Sequence, residues 1–244
     1  MLRELDMNEI SDGRRYSASD RIRCDTRGCE GCHECCRVTG DTIILDPYDA
    51  ALLCMGLECD FDALLEHCVG LRPVDGLILP YLAKKQDGNC AFLDENGRCA
   101  IHPIRPGFCR LFPLGRIYDR ESESFSYYLQ VHECPRIEAS LTQTGATKAS
   151  GSDRKDGAAE DGILIREWIG MEDMDRYESF IAQWHFLTVD LVKVMTEHPE
   201  EEFVKKLCMA TLNLFYRRPY GRNGQTDFFA EFDERVKEIR EILA

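Results

Sequence analysis

Residues 28–37, GCEGCHECCR, set four cysteines within eight positions, two of them adjacent. No other feature constrains the fold as much. Thiols this close are joined as disulfides, shared by a metal, used as reactive centres, or crowded by coincidence. Thirteen cysteines is an odd number, so a complete intramolecular disulfide set is impossible. The opening stretch, MLRELDMNEISDGRRYSASDR, carries charges where the apolar core of a signal peptide would sit. The expected compartment is therefore the cytoplasm, where thiols stay reduced. Dense cysteine spacing there points to metal binding or redox chemistry.

Composition narrows the partners. A formal net charge of −14 opposes binding driven by phosphate contacts, so no nucleic-acid partner is expected. No run of about eighteen apolar residues occurs, so no membrane span is expected either. With 44% hydrophobic residues over 244 positions, the chain has enough apolar surface for a real core without staples.

The fold class expected is α+β and mainly helical, an irregular cysteine-rich metal-binding core with a small β-hairpin, packed against C-terminal helices. Residues 1–23 read as a polar arm, frayed or loosely docked. Residues 24–138 hold twelve of the thirteen cysteines and form the metal-binding domain. Residues 139–161 are small and polar, a flexible linker or loop, and 162–244 return to helical periodicity. Asp46-Pro47 opens one helix and Asp60 caps a second. LILPYLA reads as a strand, and CAFLDENGRCAI as a hairpin turning at Asn96-Gly97, with Cys90 and Cys99 on its arms. In the last helix Phe229, Phe232, Val236, Ile239 and Leu243 recur at steps of three and four, a stripe for packing.

Cys29, Cys32 and Cys35 form C-x2-C-x2-C, and the glycines at 28 and 31 permit the backbone angles such a loop needs. Three thiolates so spaced are presented to a 4Fe–4S cluster in bacterial ferredoxin-type loops, with a remote Cys-Pro supplying a further ligand, and Cys134-Pro135 is such a pair. Zinc uses C-x2-C pairs as well, so spacing alone leaves the metal open. Cys36 cannot easily point where Cys35 points, and it reaches a second metal, serves as an extra redox thiol or packs as a small hydrophobe. Cys90, Cys99, Cys109 and Cys134 make a second set of four. Cys24, Cys54, Cys59, Cys68 and Cys208 read as packed or surface thiols. Arg105 and Arg110, beside Cys109, carry donors that balance the charge of thiolate ligands. His102 and His132 lie near cysteines as weaker ligand candidates, while His33 reads as exposed. YRRPYGR, 216–222, reads as a solvated turn with a lesser case for an anion contact. Nucleotide-binding glycine loops, H-E-x-x-H and G-x-S-x-G are all absent.

Taken in order, C-x2-C-x2-C-C, then DGNCAFLDENGRCAIHPIRPGFCRLFP, then a later cysteine resembles the YkgJ-like cysteine-cluster family, the zinc- or iron-chelating CxxCxxCC domain. The resemblance spans roughly residues 25 to 136. It implies a metal site drawn from Cys29, Cys32, Cys35, Cys36, Cys90, Cys99, Cys109 and Cys134, with either an iron–sulfur cluster or zinc as cofactor. Some relatives sit within flagellin lysine methylases, which implies a protein substrate as one option and a protein lysine N-methylase-like enzyme as one alternative. This chain departs in carrying His102 where relatives often have tyrosine, and in its five additional cysteines. The leading expectation is a 4Fe–4S protein for electron transfer or redox-linked modification, serving a redox partner or protein substrate. The alternative is a structural zinc-binding module.

Overall fold

The computed structural model describes residues 10–23, 32–38, 43–131, 133–134, 137, 162–221 and 227–243. The expected linker, 139–161, lies outside the described residues, which are α+β and mainly helical, with three small antiparallel sheets.

The elements begin where local chemistry starts them. After β1 (Arg21–Ile22) and α1 (Glu34–Val38), helix α2 (Pro47–Gly56) opens on a capping box. The Asp46 carboxylate accepts from Asp49 N–H at 2.8 Å, and Asp49 accepts from Asp46 N–H at 3.3 Å. Helix α3 (Phe61–His67) is capped by Asp60, which accepts from Ala63 N–H at 2.9 Å.

Strand β2 (Val69–Val74) then pairs with β3 (Leu77–Leu82), so LILPYL is a strand as expected. Its partner, VGLRPV, escaped the sequence reading because Pro73 interrupts it. The signal that was available is the two-residue Asp75-Gly76 turn, both residues at positive φ. Helix α4 (Gly107–Leu111) precedes a second ladder, β4 (Leu114–Asp119) with β5 (Ser124–Leu129). In each ladder a glycine faces a tyrosine: a Cβ on Gly70 would lie 2.5 Å from the Tyr81 ring, and one on Gly115 2.2 Å from that of Tyr128. The aromatic ring fills the space that the glycine leaves.

Residues 10–23 are docked rather than frayed. Tyr16 exchanges backbone hydrogen bonds of 2.9 and 2.8 Å with Tyr127, extending the β4–β5 sheet. Further on, β1 pairs with β6 (Ile163–Leu164), and Ile22 is buried. These pairings are tertiary, and the polar composition of the segment gave no sign of them.

The C-terminal part comprises α5 (Ile165–Ile169), α6 (Met174–Glu197), α7 (Glu201–Leu212), a π turn at Asn213–Arg217 and α8 (Phe228–Leu243). Gly170, in the left-handed region at φ 66°, ends α5. Helix α6 then runs unbroken for 24 residues. Its buried face meets the stripe of α8: Phe180 stacks edge-on to Phe232 at 4.7 Å, and Trp184 lies 5.0 Å from Phe215 of the π turn. One continuous hydrophobic cluster joins this layer to Leu45, Leu53, Leu111 and Cys134 of the cysteine-rich part. Among the described residues, no helix is long and apolar enough to cross a membrane.

Candidate metal centre

Five of the eight motif thiols are brought into electrostatic reach of one another, from three stretches of chain. Cys35 and Cys36 stand on the single turn of α1. The Cys36 carbonyl accepts from Cys90 N–H at 2.9 Å, which ties that turn to the second stretch. The expected hairpin over 90–101 proves to be a tight loop with one bridge, Leu93 to Cys99, closed by Gly97 N–H to Asp94 carbonyl at 3.1 Å. Gly97 sits at φ 72°, and a Cβ there would lie 2.8 Å from His33 Nδ1. The His33 ring is therefore half-buried against this loop, not exposed, and clamps α1 onto it. Cys109 lies at the centre of α4.

The mutual influence of the thiols is visible in their acidities. A hydrogen bond with the Cys36 thiol, helped by the Arg105 charge, outweighs burial and pulls Cys35 down to about 7. The same hydrogen bond, then burial and the charges of Cys35, Cys90 and Cys99, drives Cys36 upward. The two adjacent thiols thus shift each other's acidity in opposite directions. Burial raises Cys90 and Cys99, and the Cys35 charge adds to it, against the opposing effect of backbone hydrogen bonds and of Lys85 and Arg105 respectively. Cys109 is raised by burial first, then by Asp49, Cys90, Cys35 and Cys99.

Cys29 and Pro135 lie outside the described residues. Cys32 is half-buried, Cys134 is buried in the hydrophobic cluster, and no described contact ties either to the five. Among the described residues, no three Cys, His, Asp or Glu side chains stand close enough to share one ion. No disulfide joins Cys36, Cys90, Cys99, Cys109 or Cys134.

The two arginines differ. Arg105 acts on both Cys35 and Cys99, and its buried Nε has no partner among the described residues. An orphaned donor beside a group of thiols suits an anionic sulfur centre, which would supply its acceptor. Arg110 instead braces the loop: its Nε donates to the Arg105 carbonyl at 3.0 Å and its Nη2 to that of Pro103. His102 lies 3.0 Å through Nε2 from Arg105 Nη1, so that nitrogen is engaged. His132 lies outside the described residues.

Sequence reasoning missed the polar layer under Cys109. Asp49, 2% exposed, accepts from Gly107 N–H at 2.7 Å and so holds the start of the Cys109 helix. The cap at Asp46 was legible in the sequence, but not this contact, which spans 58 residues of chain. Arg116 lies beneath, 5.9 Å from the Tyr177 ring centre. Burial, opposed by backbone hydrogen bonds and Arg116, pushes Asp46 up to about 6, and burial with the Asp46 charge pushes Asp49 well above the carboxylate range. Both folded-state values exceed the unfolded one of about 3.9. Between about pH 4 and about pH 6 the native chain therefore holds more protons than the unfolded chain, and stability falls as pH rises. Asp46→Asn, which stays neutral and still caps, should gain in melting temperature over the wild type across that window. Parallel melting curves from about pH 4.5 to about pH 6.5 would refute the assignment.

YRRPYGR is no anion site in its described part. Arg217 pairs with Asp62 at 2.7 Å and Arg218 with Glu238 at 2.6 Å, while Tyr216 donates to the Leu45 carbonyl at 3.0 Å.

A thiol-only group of soft donors, one of them ionising near neutrality and one buried guanidinium beside it, has the chemistry of a thiolate metal centre. A family model described as CxxCxxCC, "Putative zinc- or iron-chelating domain", matches residues 28–135. No curated protein and no solved structure matches the chain.

Proposed function

Because a model of a zinc- or iron-chelating CxxCxxCC domain matches residues 28–135, we propose that the metal of this protein is iron, held as a 4Fe–4S cluster by cysteine thiolates for electron transfer or redox-linked modification. The observation that carries this reading is the ligand pattern, C-x2-C-x2-C at Cys29, Cys32 and Cys35 with the remote Cys134-Pro135. A cluster with several iron atoms spreads its ligands more widely, and the C-x2-C-x2-C spacing is the one such clusters use.

The group would supply a one-electron redox centre. The protein's part is to hold it: Cys35 offers a thiolate near neutral pH, Arg105 offers a donor and a compensating charge, and Asp49 fixes the helix that carries Cys109. Burial of Cys90, Cys99 and Cys109 lowers the local dielectric, which strengthens each of these effects.

Anaerobic purification followed by metal and sulfide analysis tests the reading. Iron and sulfide in about equal amounts, with broad absorbance near about 400 nm, are expected. Stoichiometric zinc in colourless protein, free of sulfide, would replace the reading with the structural zinc module.

A further inference from the structure

Cys54, Cys59 and Cys68 lie outside the motif, yet they are not scattered. Cys54 belongs to the last turn of α2. The chain leaves that helix through Glu58, whose φ of 53° is one that side chains seldom adopt. The turn brings Cys59 N–H to 3.0 Å from the Cys54 carbonyl. Both thiols line one cleft of about 180 Å³, walled by Phe61, Tyr216 and Tyr220. Met55 lines it too, and is 59% exposed. Two thiols and a thioether facing one cleft make a set of soft donors.

From this cleft the thiols lead inward. The Cys68 carbonyl accepts from Ala83 N–H at 2.9 Å, the Ala83 carbonyl from Ala91 N–H at 3.1 Å, and Lys84 bridges to Cys90. Cys68 and Cys90 therefore occupy segments separated by one intervening strand, about 10 Å between backbones. Electrostatic influence follows the same line. Burial, then Cys59, Asp60 and Cys68, pushes Cys54 up to about 12. Burial, then Cys59 and Cys90, pushes Cys68 up to about 11. Cys90 in turn influences Cys99 and Cys109. The run Cys59, Cys54, Cys68, Cys90 thus connects the cleft with the centre.

We propose that Cys54 and Cys59, with Met55 beside them, capture a thiophilic metal ion at this cleft and pass it by way of Cys68 to the Cys90 side of the metal centre. The proposal rests on the metal-binding reading of that centre. Each step is a ligand exchange with no change of oxidation state. The incoming thiol releases its proton to solvent as it binds the ion, and the departing thiolate takes one up. Two thiols and a thioether hold an ion less tightly than the larger group of thiols at the centre, so transfer runs toward it.

Zinc alone serves as the probe, delivered to reduced, metal-free full-length protein from a coloured chelator at less than one equivalent per chain. Cys54→Ser, Cys59→Ser and the double variant should each take up zinc about tenfold more slowly than the wild type, because capture raises the local concentration of the ion. All three should reach the same final occupancy, and Cys208→Ser should match the wild type. Equal slowing marks the two thiols as one unit. Unchanged rates, or losses in the single variants that multiply in the double, would overturn the proposal. A wild type that takes up no zinc or ferrous ion at all would overturn the reading of the centre as well, a result distinct from an unchanged rate.

Discussion

Cys109→Ser is expected to strip the protein of its metal while leaving it folded. Serine keeps the size of the side chain but offers a hard oxygen in place of a soft thiolate, and a hydroxyl does not ionise near neutral pH. Cys109 is also the thiol on which Asp49, Cys90, Cys35 and Cys99 all act, which puts it inside the group. The loss of affinity should exceed the roughly tenfold to hundredfold seen when only the outer partners of a ligand are removed. The comparison is Cys208→Ser. Cys208 is buried in α7 and its thiol lies 3.5 Å from the Gly76 carbonyl, among residues of the helical layer. That variant should lose a little stability and no metal. Metal analysis and thermal melting on both variants separate the two roles. Cys109→Ser protein with its full metal content would remove Cys109 from the ligand set.

The largest effect on stability is expected at Arg235. This arginine of α8 is 1% exposed and gathers the end of the preceding layer around its guanidinium. It donates to the carbonyls of Leu214 at 2.8 Å, Arg218 at 2.7 Å and Pro219 at 2.9 Å, and to Glu231 at 3.2 Å. Its charged end also lies 3.4 Å from the centre of the Tyr220 ring. Arg218 and Pro219 lie past the end of the π turn, so their carbonyls have no helical partner. Arg235→Ala would leave several buried carbonyl acceptors without their donor, at a cost of about 3–5 kcal/mol. For a chain of this length that corresponds to a fall in melting temperature on the order of 10 °C. A fall of only a degree or two would show that water replaces the guanidinium at little cost. Lysine is a poor substitute, since a single ammonium cannot reach all of these acceptors with the geometry of a planar fork.

What could be read along the chain follows from how far each signal reaches. Asp46-Pro47 and Asp60 predicted helix starts because a cap acts over three residues. The α8 stripe was legible because helical periodicity repeats within one element. The VGLRPV strand was not, since its proline outweighed the Asp-Gly turn that followed. Pairing of residues 10–23 with Tyr127 and Leu164 depends on partners more than a hundred positions away, and no local pattern records it.

The sequence by itself determined the chemistry of the protein. Its cysteine spacing marked out a zinc- or iron-chelating domain, since ligand type and turn geometry are set over a few residues. Tertiary structure alone decided how that chemistry is arranged. It grouped Cys35, Cys36, Cys90, Cys99 and Cys109, set Asp49 under the Cys109 helix, and aligned Cys54, Cys59 and Cys68 beside them. Long-range packing makes those choices, because burial and charge depend on neighbours in space rather than on neighbours along the chain.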